Sequence, residues 1–240
     1  MNAPILLIHG FPLDRRTWAA QAAALSASRR VISPDLPGFG AAPADPAIRS
    51  MDDYARWLVG ELDRQSVDRV SAAGHSMGGY VLLALHRVAP ERLAGMALVS
   101  TRAAADGDDA RQAREAVAQR AEREGAGFLA ESMPAKLYGS TPTLAALDAL
   151  RSIIRGASSA GTAAAARAMA TRPDSRPQLP GIRVPTVVVA GRKDGVVPPS
   201  ESEAMAAAIP GARLVWAERS GHLPMLEEPE LVSESLASLP

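Results

Sequence analysis

Residues 71–85 read SAAGHSMGGYVLLAL, and GHSMG within them fits G-x-S-x-G with Ser76 at its centre. The run RVSAA before it has the character of a strand and YVLLALHRV after it that of a helix, so Ser76 falls where one becomes the other. Glycines at 74 and 78 let the flanking segments approach at a sharp turn, while the serine carries a strained backbone conformation. Such a turn lifts the hydroxyl above the sheet, beside a helix N-terminus whose free N–H groups favour a developing negative charge. The same position also suits a serine that only caps the helix. Nucleophilic chemistry is one reading of the motif and capping is the other.

A serine hydroxyl attacks well only when a base takes its proton, and the chain offers four histidines. His9 is expected to shape the turn after the first strand, His75 to point away from Ser76, and His86 to pack or lie on the surface of the helix. His222, in ERSGHLPMLEEP after the last strand, stands where a base can reach over the sheet. The base needs a carboxylate to hold its tautomer. Asp194, at the end of VPTVVVAGRKD, is the choice, because open α/β sheets place their chemistry at the carboxyl edge. Asp106, Asp108 and Asp109 read as a solvated acidic helix start, and Asp35 in SPDLPGFG as a turn former. A tetrahedral oxyanion needs two N–H donors. The amides of Met77 and Phe11 are the expected pair, since Pro12 has no N–H to give.

Positions 76, 194 and 222 need a scaffold that brings them together. Six short apolar runs recur: PILLIHG (4–10), RRVISPDL (29–36), DRVSAAGHS (68–76), LAGMALVS (93–100), VPTVVVAGRKD (184–194) and ARLVWAE (212–218). They are nearly continuous in apolar residues, as expected of strands covered on both faces. Helical stretches at 14–27, 51–65, 80–93, 200–209 and 229–239 alternate with them. The fold class expected is α/β, a mostly parallel, doubly wound sheet. From 103 to 181 no strand signal appears. DDARQAREAVAQRAEREG, GFLAESMPAKLYG, TLAALDALRSIIRG and SAGTAAAARAMATRP each read as helix closed by Gly or Pro. The division expected is a core of 1–102 and 182–240 with a helical insertion at 103–181; a separate helical domain is the alternative.

Composition agrees with one soluble globular unit: 240 residues, 47% hydrophobic, 22% charged, formal net charge zero. Charge balance gives no pull toward nucleic acid or an anionic membrane. No apolar run is long enough to span a bilayer, and MNAPILLIHG is too short in its apolar part for a signal sequence, so a cytoplasmic location is expected. With no cysteine and no His-carboxylate cluster of ligand spacing, no metal or cofactor is expected.

Together, HGFPLDRRTW, SPDLPGFG, GHSMGGYV, GRKDGVVPP and SGHLPMLEEP resemble the α/β-hydrolase superfamily across the whole chain and in its order. HGFPLD, SMGGYV, RLAGMALVSTRA, REGAGFLAESM and RPDS are most similar to small bacterial carboxylesterases with a helical cap. Two departures stand out. The family's usual N-terminal hairpin is missing, so RRVISPDL is expected to form a sheet edge, and the turn LPGFGAA lacks the Arg common there.

The resemblance implies a Ser76–Asp194–His222 triad hydrolysing carboxylic esters of short to medium acyl chain through an acyl-enzyme. Phe128, Leu129, Met133, Leu137, Val196 and Leu223 are the expected pocket residues. Perhydrolysis, suggested by Phe11-Pro12, and enol-lactone hydrolysis, with Arg151, Arg155 and Arg167 presenting cations, are alternatives on the same triad. A slow-turnover ligand-binding signalling protein is an alternative of another class. The expected partner is a small-molecule ester, and oligomeric state is left open.

Overall fold

The computed structural model describes residues 2–240. Along the chain β1 (Ile5–Ile8) is followed by a 3-10 turn at Arg15–Trp18, α1 (Ala19–Leu25), β2 (Val31–Ile32), α2 (Met51–Arg64), β3 (Val70–His75), α3 (Met77–Val88) and β4 (Leu93–Val99). Five helices come next: α4 (Asp108–Glu124), α5 (Gly127–Ser132), α6 (Pro134–Leu137), α7 (Leu144–Ile154) and α8 (Ser159–Ala170). The chain then returns through β5 (Thr186–Gly191), α9 (Pro199–Ala208), β6 (Arg213–Ala217), α10 (Pro224–Glu227) and α11 (Pro229–Ala237).

The strands form one six-stranded parallel sheet in the order β2-β1-β3-β4-β5-β6. Every residue of β1, β3, β4 and β5 is buried, which explains their unbroken apolar character. As expected, RRVISPDL supplies the edge strand and none of the described residues before Ile5 adds another. Its paired portion is only two residues, far shorter than the apolar run, and a short edge offers little to a stray strand.

Helices cover both faces. Leu6, Ile8, Val70, Ala72, Met96, Leu98 and Val188 point to one side, against α2, α3 and α9. Ile5, Leu7, Ala73, Ala97, Val99, Val187 and Val189 point to the other, against α1, α10 and α11. The α2 sequence shows why it sits there. Met51, Tyr54, Ala55, Leu58 and Leu62 form one buried stripe, and Ser50 caps the helix by accepting from the Asp53 amide. By contrast α3 is buried along nearly all its length and lies at the centre of the fold.

The helices between β4 and β5 join both cores. Ala165, Ala168 and Met169 of α8 belong to the first, and Leu129, Leu137, Leu150, Ile153 and Ile154 to the second. Ala118 of α4 meets Ala163 and Ala166 of α8 in a small contact of their own, where alanine side chains let the two helices lie close.

Candidate active site

The chain leaves β1 outward to β2, then returns to the far side of β1 for β3, so the strand order reverses between β1 and β3. At such a reversal an open parallel sheet has a crevice beyond the carboxyl ends of its strands. Pairing of Ile8 with Gly74 sets the loop that begins at His9 beside the turn carrying Ser76. Pairing of Gly191 with Ala217 likewise sets the Asp194 loop beside the one leading to His222.

Ser76 has φ 51° and ψ −113°, a conformation that few non-glycine residues adopt. It is held from both ends. Its amide donates to the Val99 carbonyl at 2.9 Å, and Thr101 Oγ1 donates to its carbonyl at 2.8 Å. The flanking glycines are steric necessities. A Cβ on Gly74 would stand 2.3 Å from the Gly78 carbonyl oxygen, and one on Gly78 would stand 2.3 Å from that of Ile8. The Ser76 side chain makes no capping bond to α3, which removes capping as the reason for a serine here.

His222 Nδ1–H donates to Asp194 Oδ2 at 2.8 Å, and both side chains are buried. Asp194 Oδ1 accepts from the amides of Val196 at 2.8 Å and Val197 at 2.9 Å, so the carboxylate is fixed before it meets the ring. The bond to Asp194 assigns the Nδ1–H tautomer and leaves Nε2 as an acceptor. The His222 amide in turn donates to Leu137 O at 2.8 Å, tying the loop to α6.

Ser76 and His222 line a single cavity of about 60 Å³. Among the described residues no hydrogen bond joins Ser76 Oγ to the imidazole; a contact of this kind commonly tightens only in the substrate complex. Phe11 lines the same cavity. Neither the Phe11 nor the Met77 amide donates to a protein acceptor among the described residues, so both N–H groups remain available.

The other histidines have structural places. His9 is wholly buried, donating from Nδ1 to Gly10 O at 2.9 Å and accepting at Nε2 from the Leu36 amide at 2.9 Å, and burial holds its pKa below the ordinary value. His86 is half-buried in α3. His75 does not line the cavity, yet its Nε2 donates to the His222 carbonyl at 2.8 Å. Asp35 is a turn former, accepting from the amides of Arg15 and Ala41, both at 2.9 Å.

Of the expected pocket residues, Met133, Leu137 and Val196 line the cavity. Leu129 and Leu223 do not; they are buried in the second core. Phe128 does not either, and lies under the Arg120 guanidinium, 4.1 Å from its ring centroid. The cations expected of the insertion also lie elsewhere. Arg151 pairs with Asp148 at 3.0 Å, Arg155 with Glu131 at 2.7 Å and Arg167 with Glu115 at 3.0 Å, in exposed helix-face pairs.

Tyr80, Arg102, Arg114, Met169 and Val197 line the cavity without having been anticipated. A position just past the end of β4 was the available signal for Arg102. Asp106 corrects the reading of a solvated helix start: its side chain has no exposure and faces Arg102 at 2.7 Å, Arg172 at 2.9 Å and Arg114 at 3.4 Å. Burial alone would push this carboxyl up, but the guanidinium of Arg172, with those of Arg114 and Arg102, outweighs it and holds the pKa below the ordinary value. Asp108, in contrast, is exposed. Among the described residues no group of three or more His, Asp or Glu side chains is gathered to hold a metal ion.

Comparison with known proteins agrees with this architecture. The chain is 32% identical over 248 residues to the pimeloyl-[acyl-carrier protein] methyl ester esterase of Aromatoleum aromaticum, covering 96% of this chain and 95% of that protein. It is 28% identical over 241 residues to the dihydrolipoyllysine-residue acetyltransferase component of the acetoin cleaving system of Pseudomonas putida, covering 98% of this chain but only 62% of that longer protein. A solved thermophilic esterase from Thermogutta terrifontis, with malate bound, superposes with a TM-score of 0.92 at 40% identity, over 99% of this chain and 89% of that one. Residues 5–235 match the model of the alpha/beta hydrolase family, and the chain belongs to that family.

Proposed function

We propose that this protein is a serine carboxylesterase acting on esters of short to medium acyl chain. The observation that carries the reading is one cavity bounded by a positive-φ serine and by an imidazole whose far nitrogen is committed to a buried carboxylate. Ser76 Oγ attacks the ester carbonyl carbon while its proton passes to His222 Nε2. The amides of Phe11 and Met77 stabilise the oxyanion of the tetrahedral intermediate. His222 then gives the proton to the leaving alkoxide as the C–O bond breaks, and the acyl group remains on Ser76. A water attacks that acyl-enzyme, His222 takes its proton, and collapse releases the carboxylic acid and restores the serine.

The cavity volume of about 60 Å³ supports the short end of the acyl range. Met133, Leu137 and Met169, all from the region between β4 and β5, supply part of its apolar wall beside Phe11, Val196 and Val197, and in this reading the insertion acts as a cap that limits acyl length. The test is turnover of p-nitrophenyl acetate, butyrate and octanoate by the wild type and Ser76→Ala, with fluorophosphonate labelling. The expected result is labelling confined to Ser76 and a fall in kcat of at least about 10³-fold in the variant. A Ser76→Ala protein with wild-type kcat would overturn the assignment.

A further inference from the structure

Resting on the esterase reading above, we propose that the preferred substrates carry a free carboxylate besides the ester, and that Arg102 and Arg114 bind it. Both arginines line the cavity that holds Ser76 and His222. Arg102 follows Thr101, whose hydroxyl grips the Ser76 carbonyl, so its backbone is tied to the nucleophile's turn. Arg114 reaches the same cavity from α4, across the cleft from the sheet.

Asp106 is not enough to occupy these cations. It is one buried carboxylate facing three guanidinium groups, and it is ionised because its pKa is held down. The third arginine, Arg172, is spoken for: it donates to Met169 O at 2.7 Å, to Ala104 O at 2.9 Å and to Asp106, and stacks 4.0 Å from the centroid of Tyr80. That set of bonds neutralises Asp106 and fixes the wall of the cleft.

Arg102 and Arg114 are different. Arg102 donates to Asp106 from Nη2 and to no backbone carbonyl; its buried Nε has no partner, a feature Arg172 shares, but Arg172 has two carbonyl acceptors besides Asp106. Arg114 has only a long contact from Nε to Asp106, at 3.4 Å, and among the described residues its terminal nitrogens meet no acceptor. The Tyr80 hydroxyl stands within hydrogen-bonding reach of Arg102 and Glu201 acts on it from farther away, so two carboxylates, Asp106 and Glu201, stand against three guanidinium groups. A guanidinium presents five N–H donors in a planar fork that matches a carboxylate. A pair of arginines serving structure alone has no need to stand on the cavity wall with donors unspent. The small volume places the anion a few bonds from the scissile carbonyl, as in a half-ester of a short dicarboxylic acid.

The experiment compares monomethyl succinate and monomethyl glutarate with dimethyl succinate and methyl butyrate, in wild type, Arg114→Gln and Arg114→Glu. Arg114 is the position to vary because Arg102→Gln, closer to buried Asp106, risks the fold; Arg102→Lys, which keeps the charge, accompanies it. The expected result is a kcat/KM ratio of half-ester to matched diester at least tenfold above one. Arg114→Gln should bring that ratio down about tenfold, Arg114→Glu should invert it, and Arg102→Lys should retain most of it. A wild-type ratio at or below one, or a ratio unmoved in Arg114→Gln, overturns the proposal while leaving ester hydrolysis by Ser76 intact. Failure of the esterase reading looks different: no ester turns over and Ser76 is not labelled. Free succinate then reads the anion site directly. A rise in Tm that is lost in Arg114→Gln supports the arginine pair, and no rise overturns it.

Discussion

His75 donates from Nε2 to the backbone carbonyl of His222 at 2.8 Å, and the two rings lie 4.9 Å apart between centroids at an angle of 56°. The residue before Ser76 therefore supports the main chain of His222, and the two loops are joined from behind the cavity. Burial pushes the His75 pKa well below its ordinary value, with the neighbouring His222 ring adding to the effect. A neutral ring that donates from Nε2 has a bare Nδ1, and that atom is buried without a partner beside Gly10. His75 is thus a fixed strut and not a proton carrier.

Truncating that strut should loosen His222. His75→Ala leaves the His222 carbonyl without its donor and opens a void beneath the ring, at a cost of about 1–3 kcal/mol. We expect Tm to fall by several degrees and kcat by about tenfold or more, with KM little changed, because a small displacement of a catalytic group is enough to slow chemistry. Calorimetry and steady-state kinetics on the same preparation check this. Wild-type kcat in a folded His75→Ala protein would show that His222 is held by Asp194 and Leu137 alone.

The glycines around Ser76 allow a sharper expectation. A methyl on Gly74 or Gly78 would collide with backbone carbonyl atoms, which cannot swing aside as a side chain can. Gly74→Ala and Gly78→Ala should each lose at least about 2 kcal/mol, or fail to give soluble protein. Gly107→Ala is the control, since nothing lies within 4 Å of an added Cβ there. Thermal melts of the three variants separate steric exclusion from a general cost of replacing glycine.

The scaffold was legible because its signals are local. Six strands, four of them wholly buried, announce themselves as nearly unbroken apolar runs, and the positions of Ser76, Asp194 and His222 follow from where those runs end. The elbow was legible less fully: the helix was expected from Tyr80, but it starts at Met77, directly after the turn. Gly78 and Gly79 look like helix breakers in a sequence, yet here they are selected by contact with Ile8 and Thr101. The charged wall of the cleft was legible only at Arg102, by its place just past the end of β4. Asp106 sits among acidic residues at a helix start, and nothing near it in sequence reveals that Arg172 arrives 66 positions later to enclose it. The same holds for Phe128, whose hydrophobicity suggested a pocket but whose ring is covered by Arg120. Pairing between distant charged residues leaves no periodicity to read.

Asp194 offers a test of geometry against charge. Its two oxygens do separate jobs, Oδ1 accepting from Val196 and Val197 and Oδ2 accepting from His222. Asp194→Asn can keep the first with its amide oxygen, so the loop should stay folded. The amide nitrogen then faces Nδ1, which favours the Nε2–H tautomer and removes the acceptor that the proposed mechanism assigns to the Ser76 proton. We expect Tm within a few degrees of wild type and kcat lower on the order of 10³–10⁴-fold. Retention of kcat would mean that the imidazole does not depend on this carboxylate for its tautomer.

Asp106 gives the clearest prediction for pH. Its folded pKa is depressed by the arginines around it, whereas in the unfolded chain it titrates near the ordinary value of about 3.9. A depressed carboxyl contributes stability that is complete above the unfolded pKa and is lost as pH falls through the folded one. Wild type should therefore hold a constant advantage over Asp106→Asn from about pH 5 to pH 8. The variant leaves Arg172 and Arg102 without their buried counter-charge, and the advantage should be about 3 kcal/mol, since breaking a buried pair costs more than the pair is worth. Below about pH 4 the unfolded chain takes up a proton at Asp106 while the folded protein holds out to its lower pKa, so the wild-type advantage shrinks with falling pH and the two melting curves draw together, Asp106→Asn having no such group to titrate. Tm measured at half-unit steps from pH 3 to pH 7 reads this directly. A gap that stays the same width down to pH 3 would mean that the arginines are held by packing and hydrogen bonds, and that the charge on Asp106 contributes nothing to the fold.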